Sequence, residues 1–152
     1  MKKLTAADLT SLCRQARQSP RLRANSNLHE ELTDPVQRLA IAMEPDTLIL
    51  PHCHPHTWEI LTALRGRFTV LVFDDGGRVI QRAELGEDTS VVEIPADAWH
   101  AVLSLDAGAV IFEVKHGPYA PIADADVAAW SKGRTAADLN AWYAVAQLGD
   151  EM

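Results

Sequence analysis

The chain has 152 residues, of which 47% are hydrophobic and 23% are charged, a balance typical of one globular domain. Its net charge of -7 argues against a nucleic-acid partner, which usually requires a basic surface. The start is too polar for a secretory leader, and no apolar run reaches the length of a membrane span. We therefore expect a soluble, cytoplasmic protein without a membrane partner, and two cysteines imply no disulfide framework.

The first predicted element is an amphipathic helix over residues 5–18, which Thr5 caps and Pro20 ends. From residue 35 to residue 116, short runs rich in aliphatic and β-branched residues alternate with turn signals, which predicts an all-β core. Residues 117–152 are predicted to form a proline-punctuated loop and a closing helix over 138–148.

The clearest hairpin signal within the core lies between Phe68 and Leu85. Two apolar runs, Phe68–Phe73 and Val79–Leu85, flank the sequence D-D-G-G. Its glycines can supply the positive φ values that a tight reversal needs. These runs are therefore predicted to be neighbouring antiparallel strands.

Three of the six histidines fall within the run P-H-C-H-P-H-T-W-E, which begins at Pro51. His52 and His54 are two residues apart, so on an extended strand both imidazoles project from one face. Glu59 adds a carboxylate, and His100 follows a second turn signal at the start of another apolar run. Imidazole and carboxylate groups together are typical of a transition-metal site.

Two neighbouring residues offer alternative assignments. Cys53 lies between the first two histidines, but strand alternation turns it to the other face, which favours a packing role over a ligand role. His56 forms a second H-x-H pair with His54, so the set His54, His56, Glu59 and His100 is an alternative. If His56 is not a ligand, it is a candidate catalytic acid or base, or a solvated loop histidine.

These motifs resemble the two signature motifs of the cupin superfamily. The pattern H-x-H-x4-E-x6-G, followed by P-x-x-x-x-H, aligns with the family's metal ligands, closing glycine and second-motif proline at His52, His54, Glu59, His100, Gly66 and Pro95. The resemblance implies an all-β cupin (jelly-roll) β-barrel forming a single domain over residues 1–152, with an N-terminal and a C-terminal helix.

A closer resemblance covers most of the chain. The stretches S-P-R-L-R-A-N-S-N-L-H-E from Ser19, D-P-V-Q-R-L from Asp34 and E-V-K-H-G-P-Y from Glu113 are similar to the WbuC family of cupin-fold metalloproteins. Members of that family are often encoded among bacterial genes for surface polysaccharide assembly. The resemblance thus implies a fold and a setting, while the reaction stays open.

Candidate substrate contacts lie outside the histidine cluster. Forked guanidinium groups suit carboxylates and phosphates, so an anionic ligand such as a sugar nucleotide is one interpretation of the arginines, with ordinary surface ion pairs as the other. Lys115 and His116 are lesser candidates, and strand alternation prevents both from facing inward. The predicted substrate-binding residues are Arg21, Arg23, Arg38 and Tyr119.

Two classes of function follow from these residues. One divalent transition metal ion per chain (Zn, Fe, Ni, Co or Mn) would support a sugar isomerase or epimerase, or an iron-dependent dioxygenase. The same pocket would equally suit a non-catalytic small-molecule binding or sensor protein. The cupin resemblance also implies a homodimer, and Trp58 and Trp99 are expected either at its interface or packed under the terminal helices.

Overall fold

The computed structural model of the protein covers residues 1–152. Its eight strands form two antiparallel sheets, a five-stranded sheet in the order β1-β2-β8-β3-β6 and a three-stranded sheet in the order β5-β4-β7. In chain order the strands are β1 Arg23–Asn27, β2 Val36–Met43, β3 Glu59–Arg65, β4 Phe68–Phe73, β5 Val79–Leu85, β6 Val91–Ile94, β7 Trp99–Ser104 and β8 Ala109–His116.

The main hydrophobic core lies between the two sheets. It joins Leu61 and Ile111 of the larger sheet to Phe68, Val70 and Val102 of the smaller one. Side chains alternate between the faces of each strand, so only every second residue enters this interior. The all-β cupin fold predicted from the motifs is confirmed by this arrangement.

Helix α1 spans Ala6–Gln18 and covers the outer face of the larger sheet. Thr5 and Asp8 form a capping box at its start, in which each side chain bonds the backbone amide of the other residue. Its buried residues Leu12, Cys13 and Ala16 pack against small residues of β2 and β8. The small side chains of β2 let the helix approach the sheet closely.

Helix α2 spans Ala136–Val145 and packs against the smaller sheet through Leu139 and Tyr143. It begins two residues before the predicted start because Thr135 and Asp138 form a second capping box. The guanidinium of Arg82 donates to the carbonyls of Tyr143 and Ala146 at 3.1 and 2.9 Å. These bonds satisfy carbonyl groups that the helix itself leaves free.

The sheet begins earlier in the chain than the sequence predicted. Strand β1 pairs with β2 from Arg23↔Met43 to Asn27↔Leu39, so the barrel starts before residue 35. The predicted hairpin is confirmed, since β4 and β5 have the predicted bounds. A bulge at Ile80 shifts their register next to the turn.

Candidate metal centre and ligand cavity

Two remote segments bring the three histidines together. His100 lies on β7, whereas His52 and His54 lie in the segment that precedes β3. The amide of His52 donates to the carbonyl of His100 at 3.0 Å, and the amide of His100 donates back at 2.9 Å. This two-way bridge fixes one histidine segment against the other.

One ring nitrogen from each of His52, His54 and His100 lies within 4.8 Å of the other two. Glu59, the first residue of β3, faces the same point. Its Oε1 lies 3.0 Å from Nε2 of His100, and its Oε2 lies 3.4 Å from Nε2 of His54. The three imidazoles thus form one cluster, and the Glu59 carboxylate lies against two of them.

The imidazole orientations are set by backbone carbonyls. Nδ1 of His52 donates to the carbonyl of Leu50 at 2.8 Å, and Nδ1 of His100 donates to that of Ala98 at 2.9 Å. With Nδ1 protonated, the neutral ring presents a lone pair on Nε2. Such carbonyl contacts are the usual means by which proteins orient metal-binding histidines.

Burial and charge act in opposite directions on these groups. Burial alone would raise the pKa of Glu59, but His100 and His54 hold it well below its ordinary value. Burial lowers the pKa of His100, yet the Glu59 carboxylate outweighs this and raises it overall. His52 is buried beside His100 without a close carboxylate, so its pKa falls to about 3. His52 therefore stays neutral, as a metal ligand must.

The four residues fit a divalent transition metal. Ligand atoms ~2.1 Å from one ion lie ~3.0 Å apart at right angles and ~3.4 Å apart at the tetrahedral angle. The contacts of Glu59 are of this size, although they involve different oxygens: Oε1 lies 3.0 Å from His100 and Oε2 lies 3.4 Å from His54. With Nδ1 of His100 protonated, the buried Nε2 and Oε1 of Glu59 face each other as two lone pairs 3.0 Å apart, a repulsion that a metal ion between them would relieve.

His52, His54 and Glu59 line a cavity of about 620 Å³. This volume is within the usual range for small-molecule sites. Of the predicted substrate contacts, Arg21, Arg23 and Tyr119 line the cavity. Arg38 does not, because alternation along β2 gives the inward positions to Gln37 and Leu39. Its guanidinium instead donates to Asp34 at 2.7 Å.

The remaining candidates lie apart from the metal centre. His56 is exposed and does not line the cavity. Cys53 is buried outside the histidine group, in keeping with a packing role. Trp99 packs in the cluster beneath α2, and its indole donates to Asp75 at 3.2 Å, so α2 covers this residue within the chain.

The cavity contains polar residues beyond the main predicted contacts, among them Lys115, which was predicted only as a lesser candidate. Lys115 contacts Glu113 at 2.8 Å and Glu59 at 3.8 Å, and both contacts raise its pKa against the effect of burial. Burial, reinforced by the charge of Glu59, raises the pKa of Glu113. The nearly buried His29 and Gln37 also face the cavity. For Gln37, Glu113 and Lys115 the only sequence signal is alternation on β2 and β8, which requires knowing which face is inward, whereas His29 lies between β1 and β2.

The fold and the histidine cluster define a cupin-fold protein with a candidate metal site. The family described as "Domain of unknown function (DUF6016)" matches residues 4–85, more than half of the chain, so the chain belongs to that family. No protein with a curated description matches it in sequence.

Solved structures with the same fold are distant in sequence. The TT1209 protein of Thermus thermophilus is 22% identical with a TM-score of 0.56, covering 76% of this chain and 97% of that one. An oxalate oxidase in complex with the substrate analogue glycolate is 16% identical with a TM-score of 0.55, covering 69% of this chain and 56% of that one. KdgF from Halomonas sp. is 16% identical with a TM-score of 0.51, covering 67% of this chain and 83% of that one.

The chain therefore matches little more than half the length of the oxalate oxidase. At these identities, the similarity establishes the fold and leaves the substrate open. None of the helices has the length and apolar character needed to cross a membrane.

Proposed function

We propose that this chain binds one divalent transition metal ion through His52, His54, Glu59 and His100, and that the metal holds a small oxygenated molecule in the cavity. The observation that carries the proposal is the convergence of one ring nitrogen from each of His52, His54 and His100 within 4.8 Å of one another, with Oε1 of Glu59 3.0 Å from Nε2 of His100. A divalent cation at this point would polarise an oxygen atom of the bound molecule.

The metal assignment is tested by elemental analysis of protein purified without added metal. The variants His52→Ala, His54→Ala and His100→Ala should each lose most of the metal found in the unmodified protein. His116→Ala is the matched control, because His116 is exposed on β8 and outside the cavity. Full occupancy in the first three variants would exclude this ligand set.

His56→Ala distinguishes the two ligand sets that the sequence allows. His56 is exposed, so this variant should retain its metal while His52→Ala loses it. The opposite pattern would assign the ion to His54, His56, Glu59 and His100. The comparison therefore decides which H-x-H pair holds the ion.

The arginines support an anionic ligand. Neither Arg21 nor Arg23 has a carboxylate within 4.0 Å, although the chain carries a net charge of -7. Arg23 is partly buried, and burial lowers its pKa. A carboxylate or phosphate of the ligand would supply the missing partner. We therefore propose that Arg21, Arg23 and Tyr119 contact the acidic part of the ligand.

The WbuC resemblance suggests a sugar or nucleotide sugar of bacterial surface polysaccharide metabolism as that ligand. A thermal-shift screen of nucleotide sugars and hydroxy acids tests this, because a ligand that binds only the folded state raises the unfolding temperature. A compound that stabilises the unmodified protein should stabilise Arg23→Gln less. An equal shift in both proteins would remove Arg23 from the site.

A further inference from the structure

Polar side chains form a row across the inner face of the larger sheet. Lys115 of β8 is the Cα partner of Glu59 on β3 and of Gln37 on β2. All three residues line the cavity. Neighbouring strands lie ~4.8 Å apart, so Gln37 stands ~10 Å from Glu59 across the sheet. The row leads from the metal centre towards β1.

Gln37 presents one hydrogen-bond acceptor to the cavity. The residue is only 2% exposed, and its amide nitrogen donates to the carbonyls of Leu32 and Asp34 at 3.2 and 2.8 Å. Both amide hydrogens are thereby used, which fixes the side-chain orientation. Oε1 has no partner within the protein, and it is not enclosed by protein atoms.

His29 presents one hydrogen-bond donor beside it. The ring is only 4% exposed, and the amide of Arg38 donates to its Nδ1 at 2.9 Å. Nδ1 also lies 3.1 Å from the carbonyl of Arg38, but that carbonyl already accepts from the amide of Leu28 at 2.7 Å. We therefore assign Nδ1 as the acceptor of the Arg38 amide, which places the ring hydrogen on Nε2. Nε2 makes no bond within the protein and is likewise not enclosed.

We infer that His29 and Gln37 form a hydroxyl-binding subsite for a polyhydroxylated ligand, that is, a carbohydrate or sugar acid. A hydroxyl group accepts from one partner and donates to another, as Nε2–H and Oε1 require. A carboxylate would satisfy His29 but would face the Oε1 acceptor of Gln37 without a hydrogen to donate. The subsite therefore selects hydroxyl groups. This inference rests on the proposed function, in which the cavity is a ligand-binding site.

Nearly buried polar atoms without partners lose hydrogen-bond energy unless a ligand or water occupies the site. The two atoms are held in place by backbone groups of residues 32–38. Their geometry is therefore fixed before any ligand arrives, which lowers the entropic cost of binding. Loss of one such bond should weaken binding roughly fivefold to tenfold.

The test compares D-gluconate with hexanoate, acids of equal chain length with and without hydroxyl groups. Dissociation constants are measured by calorimetry for the unmodified protein and for His29→Asn. The asparagine oxygen replaces Nδ1 as acceptor for the Arg38 amide but offers no donor at the position of Nε2. His116→Asn serves as the matched control outside the cavity.

We expect gluconate to bind the unmodified protein more tightly than hexanoate, and this preference to fall roughly fivefold to tenfold in His29→Asn alone. An equal preference in both proteins, or none in the unmodified protein, would overturn the subsite and indicate ordered water only. If His29→Asn does not fold, His29→Gln is measured instead. Its side-chain amide retains a hydrogen-bond donor, so this variant should still prefer gluconate to hexanoate. Loss of that preference in His29→Gln would overturn the subsite.

Measuring the metal content distinguishes failure of this subsite from failure of the proposed metal site. His29→Asn should contain as much metal as the unmodified protein, since His29 makes no contact with the four proposed ligands. Absence of metal in both proteins would refute the metal centre, while the gluconate comparison would still decide the subsite.

Discussion

Lys115 lies beside Glu59 across the sheet, with its Nζ 3.8 Å from Oε2 of that carboxylate. Glu59 thus has an ammonium group on one side and two imidazoles on the other. Its negative charge is balanced locally although the side chain is almost fully buried. This pairing favours the ionised form of the buried Glu59 carboxylate, which is the form that would bind a metal ion.

The first prediction concerns Glu59→Gln. Removing the negative charge should weaken metal binding at least tenfold, because a neutral amide is a poorer ligand and no longer offsets the charge of the ion. Affinity is measured by competition with a chromophoric chelator. Glu93→Gln is the control, since Glu93 is exposed on β6 and does not line the cavity. Unchanged affinity in Glu59→Gln would leave only the histidines as protein ligands.

The second prediction concerns Gly66, the closing glycine of the first motif. Its φ is +70°, and a Cβ there would lie 2.8 Å from the Cβ of Ala109. Gly66→Ala should therefore lower the free energy of unfolding by about 1–3 kcal/mol. Gly76→Ala is the control, because that glycine lacks a positive φ and a Cβ would meet only Asp74 at 3.4 Å. Equal urea concentrations at the unfolding midpoint of the two variants would contradict the steric explanation.

The third prediction concerns Asp106, which accepts from the guanidinium and the amide of Arg67. The side-chain hydrogen bond from Arg67 lowers the pKa of Asp106 in the folded protein. A depressed carboxyl pKa stabilises the fold above the unfolded value of ~3.9, and this contribution is lost as the pH falls through the folded value. Asp106→Asn should therefore lose less stability than the unmodified protein on acidification.

Urea unfolding at about pH 6 and about pH 3 measures this difference. Glu87→Gln is the matched comparison, because Glu87 makes a single exposed contact with the same arginine at 3.3 Å. Its pH dependence should resemble that of the unmodified protein. An identical loss of stability in Asp106→Asn would show that other carboxylates dominate the acid response.

Local patterns predicted much of this fold. The hairpin of β4 and β5 was predicted with its observed bounds because the alternating runs and the turn glycines are adjacent in sequence. Helix α1 was predicted within one residue for the same reason, since its cap and its terminating proline are local signals. The three histidines were predicted as metal ligands from their spacing, which can be recognised in the sequence without knowing the barrel.

Long-range pairing explains what the sequence did not reveal. Strand β1 is polar and short, and only its register with β2 shows that it extends the barrel. The same register turns Gln37 inward and leaves Arg38 outside the cavity. His29 has no motif of its own, and its importance follows from one backbone bond to Arg38. Such contacts are tertiary, so local periodicity carries no information about them.

The position of β1 at the edge of the larger sheet separates residues proposed to contact the ligand from residues proposed to bind the metal. Residues 21–29 supply Arg21, Arg23 and His29, whereas every proposed metal ligand comes from another part of the chain. Substitutions in this edge segment would alter which molecule the cavity accepts without disturbing the ion. Under the proposed function, exchanging residues 21–29 between relatives should change the ligand preference of the cavity and leave metal binding intact.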